Sequence, residues 1–331
     1  MTGSSFGKNM MKKMGREFGS VVALLFMVAI FSAINPIYLS AGNLVDIVDQ
    51  GTINGLLAIG ITFVIITGGI DLSVGSTMAI VIVSVGKFLT DGGIHPAAAI
   101  LLGVLTGFLL GGMNGLMITK LSLQPFIATL ATMSIYRGVA YIITHGWPVL
   151  NMPANFRNMM DGDIFGSVPV SIIILLGFAA LGHVLLRYTR FGTYVYAMGG
   201  NEEATKLSGV NVERYKTLAY TLCGVGAALS GMVMLARLGT GEPTAGQGYE
   251  LNAIAAAAIG GTSLAGGKGS VIGTLLGTLI LSALKVGLVV VGVDTFWQYI
   301  ATGSIIAIAA YFEIIQNKLS SISGLRAVKK I

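Results

Sequence analysis

Charge is scarce in this sequence: only 10% of its 331 residues are Asp, Glu, Lys or Arg, where soluble domains carry roughly a quarter. That scarcity excludes an ordinary soluble globule, which has too little polar surface here to cover a chain that is 54% hydrophobic. Cysteine is nearly absent as well. Cys223 stands alone in an apolar stretch, which excludes a disulfide framework and reads as an inert buried thiol. The 3 histidines are scattered and no H-E-x-x-H run exists, so no metal site is expected. Long polar stretches are also missing. Ten membrane spans of about 20 residues would use roughly 200 positions, leaving short loops and no room for a separate soluble domain.

What the sequence does have is apolar length and glycine. Mean hydropathy is +0.83, and the 47 glycines suit membrane helices that approach closely. Apolar segments fall at 18–34, 51–68, 72–89, 97–119, 125–143, 166–186, 217–236, 250–265, 270–291 and 295–315. Turn formers separate them: Asn35-Pro36, Gly68-Gly69, Asp91-Gly92-Gly93, Gly146-Trp147-Pro148 and the stretch 239–248. The N-terminus, with Lys8, Lys12, Lys13 and Arg16 before an apolar run, has a signal-peptide shape. No A-x-A-like site follows and the apolar run is long, so it reads as a retained first span. The expected fold is an all-α polytopic membrane protein of about ten transmembrane helices in a single domain.

Charge asymmetry orients those spans. With the N-terminus in the cytoplasm, the inside receives Lys8, Lys12, Lys13, Arg16, Lys120, Arg187, Arg190, Lys206, Arg214, Lys216, Lys268, Lys318, Arg326, Lys329 and Lys330. The outside receives mainly Asp46, Asp49, Asp91, Asp161, Asp163, Glu242, Glu250 and Asp294, with Arg157 and Arg237 as exceptions. This matches the positive-inside rule. It gives a cytoplasmic tail over 1–17, a cytoplasmic loop over 187–216 and a cytoplasmic tail over 316–331. The net charge of +6 then belongs to membrane topology, and no nucleic-acid partner is expected.

The chain also echoes itself. Residues 103–135 and 273–305 align without a gap and share nine identities: Gly103/Gly273, Leu105/Leu275, Gly107/Gly277, Leu109/Leu279, Phe126/Phe296, Ala131/Ala301, Thr132/Thr302, Ser134/Ser304 and Ile135/Ile305. Spans four and five then match nine and ten. This odd offset makes the halves two inverted five-helix pseudo-repeats, an arrangement transporters use to build two alternately open faces. A shorter match joins Gly68-Gly69-x-x-Leu72-x-x-Gly75 to Gly260-Gly261-x-x-Leu264-x-x-Gly267 at an even offset. It reads as a reused local break.

Two familiar patterns are decoys. Gly261 to Gly269 imitates a P-loop, but Lys268 comes one residue late and Gly269 replaces the Ser or Thr that would hold magnesium. Gly3-Ser4-Ser5-Phe6-Gly7 fits G-x-S-x-G in a polar tail, not on a strand-to-helix elbow. No catalytic set and no cofactor follow from either. The loop between spans six and seven carries more information. Asn201 or Gly200 can cap a short helix whose first turn holds Glu202 and Glu203, with Ala204 and Lys206 further along and Ser208-Gly209 ending it. Such a helix is either a docking element for a cytosolic partner or a solvated connector.

That run, Gly199-Gly200-Asn201-Glu202-Glu203-Ala204-Thr205-Lys206-Leu207-Ser208-Gly209, resembles the cytoplasmic coupling loop of the ribose-type ABC sugar permeases. Four further blocks resemble that family in its order: Gly68 to Ser76, Gln124 to Leu130, Pro243 to Leu251 and Gly260 to Gly269. Together they span about residues 40 to 315. The resemblance implies a non-catalytic subunit in the bacterial inner membrane that pairs with a second permease copy, identical or paralogous. It also implies two cytosolic ATP-binding domains, a periplasmic sugar-binding protein, and Gly200 to Gly209 as the segment that docks in the ATPase.

Polar groups at membrane depth are functional candidates by default. Asp71, with Ser73 beside it, lies in the Gly-Gly break and either binds a sugar hydroxyl or holds the broken segment. Arg137 in the fifth span lines the path, pairs with an acid such as Asp71, or snorkels; Lys285 in the ninth raises the same choice. Asn114 aligns one position before Lys285 in the repeat. Phe126 and Trp297 either stack on sugar rings or anchor span ends at the interface. Few carboxylates lie inside spans, which disfavours the rival reading, a secondary transporter driven by an ion gradient.

Overall fold

A computed structural model describes residues 3–164, 166, 168–294, 296–298, 300, 301, 303, 304, 307 and 311, with side chains from Gly19 onward. The elements in chain order are α1 (Gly3–Ile34), α2 (Ala41–Ile66), α3 (Val74–Thr90), α4 (Pro96–Lys120), α5 (Pro125–Thr144) and α6 (Ala154–Asp161). A two-residue antiparallel hairpin follows, β1 (Asp163–Ile164) and β2 (Val168–Pro169). Then come α7 (Val170–Tyr188), α8 (Arg190–Gly200), α9 (Glu202–Leu207), α10 (Val212–Leu238), α11 (Tyr249–Ile259) and α12 (Val271–Val290). Among the described residues, α2, α4, α5, α7, α10 and α12 are long and apolar enough to cross a membrane. Three shorter apolar helices accompany them: Gly19–Ile34 of α1, α3 and α11. The last expected span, 295–315, and the expected tail 316–331 lie largely or wholly outside the described residues.

Local chemistry sets the ends. Ser40 Oγ accepts from the Asn43 amide at 3.3 Å to start α2. Proline occupies the first turn of α4 and α5, where its missing N–H costs nothing. Asn211 Oδ1 accepts from the Arg214 amide to start α10, and Gly239 ends that helix in the left-handed region at φ +67.

Burial inverts the soluble pattern. Gly55 to Ile66 of α2 and much of α10 are buried at the centre. The outer helices instead expose apolar side chains, including Leu101, Leu105 and Leu109 on α4 and Ile173, Leu176 and Leu181 on α7. Exposed leucine faces around a buried apolar core are what a lipid-facing perimeter requires. A close seam joins α4 to α10, where a Cβ on Gly107 or Gly111 would strike the carbonyl of Gly224 or Tyr220. Glycine here permits backbone approach that no side chain allows.

Several boundaries differ from the sequence reading. Helix α1 begins at Gly3, so the basic run Lys8 to Arg16 continues into the first span without a break. Helix α2 starts ten residues before the expected 51, because Asp49 is matched by Arg237 at 2.6 Å. The expected span 250–265 is only the 11-residue α11, roughly 16 Å long and too short to cross by its helix alone, without the extended stretch that leads into it. Gly260 and Gly261, the latter at φ +85, stop it.

Candidate functional site

The loop over 187–216 contains two helices, α8 and α9, set at the ends of α7 and α10. Asn201 is the N-cap of α9, its side chain accepting from the Ala204 amide at 2.9 Å. Gly200 is the last residue of α8, so it closes one helix instead of capping the next. Glu202 and Glu203 fill the first turn, Lys206 the last, Ser208 is the C-cap and Gly209 sits at φ +84. Thr205 turns inward and is buried, while the other residues from Asn201 to Gly209 are exposed. Leu207 is 89% exposed. Sequence reading missed it, although a leucine on a six-residue polar helix was the available signal. Lys216 pairs with Glu202 at 2.5 Å and ties α9 to α10.

Behind this projection, α8 reaches the core. A Cβ on Gly199 would strike the Ile66 carbonyl at the end of α2 and the Gly267 amide in the break before α12. Gly267 N–H itself donates to Ile66 C=O at 2.9 Å. Tyr196 donates its hydroxyl to Gly269 C=O at 2.7 Å. Burial pushes the Tyr196 pKa up, against a smaller pull down from Arg187, so the hydroxyl keeps its proton and the bond. The two similar Gly-Gly breaks of the sequence therefore meet beneath the exposed helix.

Asp71, Ser73 and Asn114 form one buried cluster. Asp71 Oδ1 accepts from the Ser73 amide at 2.9 Å and the Ser73 hydroxyl at 2.7 Å. Asn114 Nδ2 donates to Ser73 Oγ at 2.7 Å, and its Oδ1 accepts from Tyr136 at 3.3 Å. All three are at most 1% exposed. The cluster ties the break between α2 and α3 to α4 and α5.

A second break enters from the other end. After α10, residues 239–248 run back toward the middle of the chain's core and start α11 beside Gly75, the second residue of α3. Gly241 exchanges both backbone hydrogen bonds with Val149. Arg137 Nη1 donates to the carbonyls of Pro243 at 2.6 Å and Ala245 at 2.7 Å. Arg137 therefore clamps a loop and does not pair with Asp71. The sequence reading makes 239–248 a turn on the outer side with Glu250; in the structure these contacts hold the segment against α5 and the start of α3. Thr244 and Gln247 are exposed, and Arg137 and Glu250 half-buried, on a segment held against the start of α3.

The remaining candidates are dispersed. Phe126, in the first turn of α5, is 49% exposed, and Trp297 is 61% exposed. Lys285 is half-buried on α12 and has no acidic partner among the described residues. No group of three His, Cys, Asp or Glu that could hold a metal occurs among the described residues.

Apolar outer faces, long buried helices and two backbone breaks inside the helical core define a polytopic integral membrane protein of the transporter type. Residues 43–310 match the family described as the permease component of branched-chain amino acid transport systems, and the chain belongs to that family. It is 44% identical over 300 residues to the ribose import permease protein of Bacillus subtilis strain 168, covering 90% of this chain and 92% of the relative. It is 41% identical to the ribose import permease protein of Escherichia coli K12 (91% and 94% covered). It is 36% identical to the D-allose transport system permease protein of the same strain (91% and 93%). No solved structure matches the chain.

Proposed function

We propose that this chain is the permease subunit of an ATP-driven importer for a ribose-like monosaccharide. The observation that carries the reading is its 44% identity, over nine-tenths of its length, with a protein named as a ribose import permease. The family description names branched-chain amino acids instead. Relatives named for ribose, D-allose and xylose favour a sugar, as do Thr244 and Gln247, neutral groups suited to hydroxyls.

We read the architecture as ten spans in two inverted halves, with both termini cytoplasmic. Support comes from exchanged packing pairs: α3 packs on α10 and on α4, as α11 packs on α2 and on α12. The segments 1–17, 187–216 and 316–331 then face the cytoplasm. A second copy of the chain, or a paralogue, completes the pore. Two ATP-binding subunits engage Asn201 to Gly209, and a periplasmic binding protein delivers the sugar. The exposed side of Arg137, Thr244, Gln247 and Glu250 lines the path, because half-exposed ionised groups at membrane depth are costly against lipid. Asp71, Ser73 and Asn114 frame that path without touching sugar. Phe126, Lys285 and Trp297 flank it. In operation, closure of the ATPases moves α9, and α8 carries the displacement through Gly199 to the two Gly-Gly breaks.

A pull-down of the tagged chain from gently solubilised native membranes tests the docking claim. The wild type is expected to bring down an ATPase subunit, and Glu203→Arg with Gly209→Asp to lose it. Absence of any ATPase in the wild-type sample would overturn the ATP-driven reading in favour of gradient-driven transport.

A further inference from the structure

One cavity serves neither the docking helix nor the proposed path. It has a volume of about 590 Å³ and lies between the last turns of α7, the start of α8 and the glycine-rich run leading into α12. Its walls carry His183 and Arg187 from α7, Lys268 from the loop, and Val271 and Ile272 from the first turn of α12. No lining residue is acidic. Arg187 and Lys268 have no salt-bridge partner among the described residues, whereas Lys216 and Lys120 nearby pair with Glu202 and Glu213.

Backbone donors reinforce this charge. The first-turn N–H groups of a helix lack intrahelical acceptors. In α12 the Ser270 hydroxyl takes the Gly273 amide at 3.0 Å, which leaves the amides of Val271 and Ile272 at the cavity wall. Helix α12 is 20 residues long, and its N-terminal dipole adds positive potential there. Basic groups and a helix start converge on one half-open cleft. Apolar surface is at hand: Ile272 of the wall is 45% exposed, and Val184, the residue after His183 on α7, is 47% exposed. A free inorganic anion has no use for that apolar rim, whereas a lipid has both a phosphate and chains. The ends of the membrane-spanning α7 and α12 meet here, at the level where one leaflet presents its phosphates.

We propose that this cavity seats the headgroup phosphate of an anionic phospholipid, with Arg187, Lys268, His183 and the start of α12 facing the phosphate. The chains lie along Val184 and Ile272. In the orientation argued above this is the cytoplasmic leaflet, the one whose anionic lipids attract basic residues. The site adjoins Tyr196 and Gly269, the contact that joins α8 to the break. Occupancy therefore stiffens the link between docking helix and core.

The test is lipid titration of the purified full-length chain by native mass spectrometry, comparing phosphatidylglycerol, phosphatidylethanolamine and inorganic phosphate. Wild type is expected to retain phosphatidylglycerol in preference to phosphatidylethanolamine. Arg187→Gln with Lys268→Gln is expected to lose roughly 30-fold in that affinity, from about fivefold per basic residue near a membrane surface. Ile272→Trp, which narrows the mouth and leaves all charges in place, is expected to weaken the lipid too, and it serves if the double variant does not fold. Equal retention of both lipids by the wild type overturns the proposal, as does retention unchanged in both variants. Phosphate binding that competes fully with lipid and is indifferent to Ile272→Trp assigns the cavity to a soluble anion and overturns the lipid.

Discussion

Gly75 and Gly246 touch backbone to backbone, although 171 positions separate them in sequence. A Cβ on Gly75 would strike the Gly246 carbonyl, and one on Gly246 would strike that of Gly75. This contact joins the break that follows α2 to the break that follows α10, so the two interrupted segments meet inside the core.

Gly246→Ala is expected to be damaging twice over. It puts a Cβ into the Gly75 backbone and forces alanine to φ +78, which costs about 1–2 kcal/mol alone. Transport falls and the detergent-solubilised chain melts several degrees lower. Gly200→Ala, with open space around it, is the neutral control, within about 0.5 kcal/mol. Equal melting temperatures for both variants would count against the contact.

Leu207→Asp is expected to leave folding intact, because Leu207 touches little of its own chain at 89% exposure. Co-purification of the ATPase should nevertheless drop at least about tenfold, the loss of one hot-spot leucine at roughly 1.4 kcal/mol or more. An unchanged yield of ATPase would show that α9 does not dock through this side chain.

Asp71 separates a frame from a binding site. Asp71→Asn keeps an acceptor for the Ser73 amide and hydroxyl, and transport should survive largely unchanged. Asp71→Ala leaves those buried donors unpaired, costing about 1–3 kcal/mol, and should reduce folded protein. A variant that folds normally but has a raised KM for sugar would make Asp71 a sugar ligand instead.

Arg237 bonds Asp49 at 2.6 Å and Asp161 at 3.1 Å, tying α10 to α2 and α6. Arg237→Met strands two mostly buried carboxylates and is expected to destabilise by about 3 kcal/mol. Adding Asp49→Asn and Asp161→Asn should recover part of that loss in a thermal melt. No recovery would mean that Arg237 acts through packing alone.

How much of this was legible follows from range. Helix positions were readable because apolar length and glycine breaks are local signals, and α3, α4, α5 and α12 fall within a few residues of expectation. Helix α2 was read too short because Asp46 and Asp49 look like loop residues until Arg237, 188 positions away, is known to pair with Asp49. The inward course of 239–248 was hidden for the same reason: its carbonyls are held by Arg137, more than 100 positions distant. Asp71, Ser73 and Asn114 stood out in the sequence as polar groups in apolar surroundings, and all three are buried. That they satisfy one another depended on the α3–α4 packing, which composition does not encode.

The central claim, ATP-driven sugar import, is tested most directly by uptake of labelled ribose in the native host. A strain lacking this chain is compared with the same strain carrying it on a plasmid. The account predicts chain-dependent uptake that survives collapse of the ion gradient by ionophore and stops when ATP is depleted. Uptake that stops with the gradient while ATP persists, or ribose uptake indifferent to the chain, would contradict it.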